Sequence, residues 1–173
     1  MIFLDMDGVL CDFVLHALRL HGREYDESTW PKGVYEMKDA FGIEDADFWR
    51  PINEVGADWW AELPKFAWAD ELVAMCESCG EVGVATSPNR DGASAAGKTA
   101  WMWRHFPRLA RRMMIGPRKE WLAKPGNILI DDSDEKCEKF RKAGGRTIVF
   151  PQPWNSHHEL TGDRMAFMRQ WII

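Results

Sequence analysis

Apolar residues gather in short runs that end in acids or turn formers, with longer amphipathic stretches between them. Ile2 to Leu4 is such a run, closed by Asp5-Met6-Asp7-Gly8, the pattern of a buried strand feeding a loop. The spacing from Val9 to His21 predicts a helix. Helices are likewise predicted for Trp68 to Cys79, stopped by Gly80, for Ala93 to Phe106, for Glu135 to Ala143, stopped by Gly144 and Gly145, and for about Gly162 to Trp171. Strands are predicted at Glu81 to Ala85, before the turn Thr86-Ser87-Pro88-Asn89, and at Met113 to Ile115, Ile128 to Ile130 and Arg146 to Phe150.

From about Gly22 to Pro64 the texture changes. Trp30, Trp49, Trp59 and Trp60 fall there among prolines, glycines and acids, without a strand pattern. This predicts an α/β protein: a Rossmann-like parallel sheet with helices on both faces, formed by residues 1–14 and 65–173, and a small, mostly helical cap formed by residues 15–64. Ligands of such sheets bind beyond the carboxyl ends of the strands. Asp5, Asp7, Thr86, Asp131 and Asp132 all lie at or just past the ends of apolar runs, so they are expected to converge on one rim.

Composition adds exclusions. A chain of 173 residues with 46% hydrophobic and 28% charged residues can bury a core without staples. A formal net charge of -5 argues against a nucleic acid polymer as partner. The first residues lack a signal-peptide pattern, and no stretch approaches the roughly 20 apolar residues of a membrane helix. Cys11, Cys76, Cys79 and Cys137 then read as free thiols of a cytoplasmic protein. A homodimer is left open.

The convergent acids carry the chemistry. Close carboxylates repel strongly unless a cation lies between them. A hard cation such as Mg²⁺ takes oxygen ligands and suits this set. Each aspartate taken alone is equally an ordinary turn or cap residue.

The residues also resemble a family. Asp5-Met6-Asp7-Gly8-Val9-Leu10 is similar to the first signature of the haloacid dehalogenase-like (HAD) phosphohydrolases, Thr86 after Val82 to Ala85 to the second, and Ile128-Leu129-Ile130-Asp131-Asp132 to the fourth. Lys119 or Lys124, both ahead of the fourth strand, supplies the third, with Lys119 favoured because it opens a helical turn. Within that superfamily the chain most resembles the 5'(3')-deoxyribonucleotidases. The residues concerned are the run from Asp5 through Cys11-Asp12-Phe13, Thr86-Ser87-Pro88, Lys98-Thr99-Ala100-Trp101 and Trp59-Trp60-Ala61-Glu62-Leu63-Pro64.

The resemblance implies Mg²⁺-dependent hydrolysis of a phosphate monoester. Asp5 would be the nucleophile that forms an aspartyl phosphate, and Asp7 the acid and base. Asp5, the Asp7 carbonyl and Asp132 would hold the metal, with Asp131 a second ligand or a supporting acceptor. Thr86 would bind a phosphate oxygen, and the third-signature lysine would neutralise charge. The expected substrate is a nucleoside or deoxynucleoside 5'-monophosphate, with another small phosphate ester as the alternative. Phe13, Trp30, Trp49 and Trp60 are candidate stacking residues, and Ser87 and Asn89 candidate polar contacts. Cap packing and turn chemistry account for these side chains equally well.

Two further patterns carry less. Gly92 to Thr99 fits the phosphate-loop pattern G-x-x-x-x-G-K-[ST], the mark of a nucleotide-binding kinase, but does not directly follow a strand. Cys76-Glu77-Ser78-Cys79 has no second pair to complete a zinc site.

Overall fold

The computed structural model describes residues 1–172. Among them, β1 (Ile2–Leu4), β2 (Val82–Thr86), β3 (Met113–Ile115), β4 (Ile128–Asp131) and β5 (Arg146–Val149) form one parallel sheet in the order β3-β2-β1-β4-β5. Leu4 pairs with Val84 on one side and Ile130 on the other. The chain runs outward from β1 to β3, then returns to place β4 against β1. That reversal opens a crevice between β1 and β4, where both acidic loops emerge.

The helices are α1 (Phe13–Leu20), α2 (Met37–Phe41), α3 (Asp45–Val55), α4 (Ala57–Ala61), α5 (Ala69–Cys79), α6 (Gly92–His105), α7 (Pro107–Ala110), α8 (Asp134–Lys142) and α9 (Arg164–Ile172). Strand alternation divides the core. Ile2, Leu4, Val84 and Ile130 face a large cluster with Leu72 of α5, Trp101 of α6 and Met168 of α9. Phe3, Ala85 and Leu129 face Phe140 of α8. Both faces of the sheet are therefore covered, which is why its strands read as unbroken apolar runs. Each fully buried leucine contributes about 1.5–3 kcal/mol.

Residues 15–64 hold most of α1, the 3-10 turn Glu27–Thr29, and α2 to α4. Their apolar side chains Phe48, Ile52, Trp59 and Trp60 continue the large cluster. Residue 14, the expected end of the first core segment, falls inside α1.

Two expectations change. The helix predicted from Val9 begins only at Phe13. The N–H groups of Val9, Leu10 and Cys11 all turn back to the Met6 carbonyl, and Asp12 caps α1 by accepting from the Leu15 N–H at 2.9 Å. The helical spacing there came from a curled loop whose apolar side chains, Met6 included, are fully buried. The last helix starts at Arg164, because His158–Asp163 is a 3-10 turn. Gly92 to Thr99 lies wholly in α6, within the helix expected there, so it is no phosphate-cradling loop. Gly97 is required there for packing: a Cβ on it would sit 2.2 Å from the Ala57 carbonyl of α4.

Candidate active site

Asp5 is 2% exposed at the end of β1. Its N–H donates to the Ile130 carbonyl at 2.8 Å, which stitches the Asp5 loop to β4. One carboxylate oxygen, Oδ1, accepts the Met6 N–H at 2.7 Å, and Lys119 Nζ lies 2.7 Å from Oδ2. Lys136 Nζ, from the first turn of α8, stands 3.8 Å from the same oxygen. Burial alone would raise the Asp5 pKa, but Lys119 and Lys136 overcome it and hold the carboxyl at about 2.

Lys119 is buried and bridges Asp5 to Asp131, whose Oδ2 it reaches at 2.5 Å. Lys124 is exposed, so of the two lysines left open by the sequence only Lys119 enters the site. Asp131 Oδ1 accepts the Ser133 N–H at 3.0 Å, so both its oxygens are occupied within the chain.

Asp132 differs. Its Oδ2 accepts the Trp154 indole N–H at 2.7 Å, and no lysine or arginine pairs with it among the described residues. Burial, then the charges of Asp131 and Asp5, push its pKa up to about 8. Its carboxylate lies against Gly8, whose φ of +73° suits glycine and whose Cβ, if it had one, would sit 2.2 Å from Asp132 Oδ2. Oxygens of Asp5, Asp131 and Asp132 come within 4.8 Å of one another. Three buried carboxylates face two ammonium groups, Lys119 and Lys136. Oxygen donors with an excess of negative charge fit a hard divalent cation.

Asp7 faces the cleft with a 28% exposed side chain. Lys98 Nζ, itself fully buried, lies 2.5 Å from its Oδ2, and Cys11 Sγ donates to Oδ1 at 3.6 Å. The same ammonium group donates to Thr86 Oγ1 at 3.1 Å and to the Ser87 carbonyl at 2.7 Å. Thr86 is therefore buried behind Lys98 rather than on the cleft wall. It closes β2 instead of following it, as Asp131 closes β4.

The cleft above these groups measures about 1070 Å³. Phe13, Trp30, Trp49 and Trp60 all line it. Phe13 stacks on Trp60 with centroids 5.6 Å apart, and Trp49 lies parallel to Trp60 at 6.4 Å. Trp30 and Trp60 are buried and line the cleft at once, whereas Trp59 is buried away from it. Ser87 and Asn89 border the cleft. Ser87 Oγ is buried without a hydrogen-bond partner, and Asn89 Nδ2 donates to Asn53 Oδ1 of α3 at 3.0 Å, bridging the two walls.

Sequence reasoning gave no site role to Lys98, Lys136, Trp154 or Tyr35, which all line the cleft. Lys98 had a signal: Ser94, Gly97, Lys98 and Trp101 form one buried stripe of α6, and a lysine on such a stripe needs an acidic partner. Trp154 follows β5, so the strand-end rule could have reached it. Lys136 reads as an ordinary charge on a polar helix. Cys76 and Cys79 end α5 and join no metal-ligating cluster among the described residues. No helix among the described residues is long and apolar enough to cross a membrane.

Comparison with solved structures finds the same fold. A hydrolase from Streptococcus pneumoniae TIGR4 matches at TM-score 0.50 and 16% identity, over 92% of this chain and 96% of that one. A HAD family hydrolase from Deinococcus radiodurans R1, solved with bound phosphate and sodium, matches at TM-score 0.53 and 14% identity, over 99% and 96%. A phosphonoacetaldehyde hydrolase like protein from Oleispira antarctica matches at TM-score 0.50 and 13% identity, over 98% and 83%. At such identities the likeness concerns the fold. No curated protein matches the chain. The model of the family described as 5' nucleotidase, deoxy (pyrimidine), cytosolic type C protein matches residues 1–166. With the HAD fold and the acidic rim already in place, that match identifies the chain as a member of this family of phosphoric monoester hydrolases.

Proposed function

We propose that the protein is a Mg²⁺-dependent 5'-nucleotidase that hydrolyses nucleoside or deoxynucleoside monophosphates through a phosphoryl group held covalently on Asp5. The observation that carries this reading is the Asp5 carboxylate, ionised by Lys119 and Lys136, beside Asp132 at the floor of an aromatic-walled cleft.

Asp5 bonds to phosphorus as the ester P–O bond breaks and its electron pair leaves on the nucleoside oxygen. Asp7 gives that oxygen a proton. Water then attacks the phosphorus, Asp7 takes its proton, and the bond to Asp5 breaks to release orthophosphate. The incoming phosphate competes with Asp7 for Lys98, which frees Asp7 to act as the acid. Lys119 fixes Asp5 and offsets its charge, and Asp131 in turn orients Lys119. Asp5, Asp132 and the Asp7 carbonyl would hold the ion, with Asp131 the third carboxylate of the cluster. Magnesium bound there would supply positive charge that offsets the charge of the phosphoryl group. Phe13, Trp49 and Trp60 receive the base, while Thr86 supports Lys98. The free thiols and the family suit a cytoplasmic setting.

The test is phosphate release from a panel of nucleoside monophosphates and sugar phosphates with Mg²⁺, for the wild type and Asp5→Asn. Nucleotide preference in the wild type and loss of roughly 10³-fold or more in Asp5→Asn are expected. Equal turnover of sugar phosphates would leave the chemistry and overturn the substrate.

A further inference from the structure

The segment after β5, residues 151–156, touches both acidic loops and the cap segment. Gln152 is 1% exposed, and its amide donates to the Gly8 carbonyl in the nucleophile loop. Asn155, equally buried, donates to the main-chain carbonyls of Asp132 at 2.9 Å and Phe150 at 2.7 Å. Trp154, 4% exposed, donates its indole N–H to Asp132 Oδ2 at 2.7 Å. Its ring packs edge-on against Trp30 of the cap segment at 5.3 Å, and the Gly33 N–H donates to the Pro153 carbonyl at 2.8 Å.

An indole carries one donor and no acceptor. Here that donor is committed to the one rim carboxylate that lacks a cationic partner. It pins Oδ2 and leaves Oδ1 without a hydrogen-bond donor among the described residues. Groups that hold a metal ligand in orientation typically change metal affinity 10- to 100-fold when removed.

We propose that Trp154 is a positioning residue: its N–H fixes the Asp132 carboxylate for cation binding, and its contact with Trp30 makes that orientation depend on how the cap segment is seated. The inference rests on the magnesium reading above and adds a coupling between cap and ion to it. Trp30 reaches the ion site only through Trp154 in this account, so its removal acts in the same direction and by the same route.

Calorimetric titration of the metal-free protein with Mg²⁺, without substrate, tests this. Trp154→Phe keeps the ring against Trp30 and deletes the N–H. Its Mg²⁺ affinity is expected to fall roughly 10- to 100-fold, with the circular dichroism spectrum unchanged. Trp30→Ala is expected to weaken Mg²⁺ binding too, and to add little in the Trp154→Phe background. If Trp154→Phe does not fold, the Trp154 indole ¹H–¹⁵N resonance of the wild type replaces it, and a shift on adding Mg²⁺ is expected. Wild-type affinity in Trp154→Phe, or an unmoved indole resonance, would overturn the positioning role. Additive losses in the double variant would overturn the coupling to the cap. A wild type that binds no Mg²⁺ would instead sink the reading beneath both.

Discussion

The two ends of the cleft are built differently. At the floor, each carboxylate is fixed by directed bonds: Asp5 by the Met6 N–H and Lys119, Asp131 by Lys119 and the Ser133 N–H, Asp132 by Trp154. At the mouth, Phe13, Trp49 and Trp60 are held by ring packing, and Asn89 bonds Asn53 across the walls. Directed bonds set angles, which in-line phosphoryl transfer requires. Ring packing supplies area, which binds a base without demanding one orientation. Damage at the floor should therefore appear in kcat, and damage at the mouth in KM.

After Asp5→Asn, Lys119→Met should have the largest effect. It strips the cation from two buried carboxylates, so a fall in kcat of roughly 10²- to 10³-fold is expected. A loss of about 3–5 kcal/mol in unfolding free energy is also expected, read by urea denaturation. A variant with wild-type kcat would mean that the floor does not depend on this lysine.

Asp132 sharpens the same end. In the metal-free protein its carboxyl is held at about 8 by burial and by Asp131 and Asp5, so below that pH a bound cation must displace a proton. Mg²⁺ affinity should rise with pH and level off above about 8. The stability consequence has a definite sign. The folded chain binds a proton that the unfolded chain releases near the ordinary 3.8, so the metal-free protein should lose stability as pH rises from about 4 to about 8. Melting temperatures with and without Mg²⁺ should diverge across that window. Parallel curves would contradict the assignment.

At the mouth, Trp49→Ala should raise KM by roughly 5- to 150-fold, from about 1–3 kcal/mol of lost stacking, while kcat stays within about twofold. A fall in kcat with unchanged KM would erase the contrast between the ends. Asn89→Ala is the smallest case. It removes one exposed bond of about 0.5–1.5 kcal/mol and should move KM by no more than about tenfold.

The floor was the more legible end because strand topology builds it. Parallel strands buried on both faces read as apolar runs, and the residues that close them, Asp5, Thr86, Asp131 and Asp132, are delivered to one rim by the fold alone. Lys119 needed the structure to separate it from Lys124, since both stand ahead of β4. Lys98 was obscured by a phosphate-loop spelling whose glycine serves helix packing against Ala57. Gln152 stayed hidden because a proline-rich connection has no period to read. Lys136 stayed hidden because a cation in the first turn of α8 looks solvated until the opposite loop is in place. At the mouth the tryptophans could be named but not assigned, since cap core and cleft wall use the same residues.

The covalent role of Asp5 is tested most directly by trapping. The enzyme is mixed with a nucleoside monophosphate labelled at phosphorus and Mg²⁺, quenched in acid during turnover, and digested for mass spectrometry. The account predicts label on the peptide containing Asp5, acid-stable and lost in mild base, and none in Asp5→Asn. Turnover with no label on that peptide, or label that persists in Asp5→Asn, would contradict it.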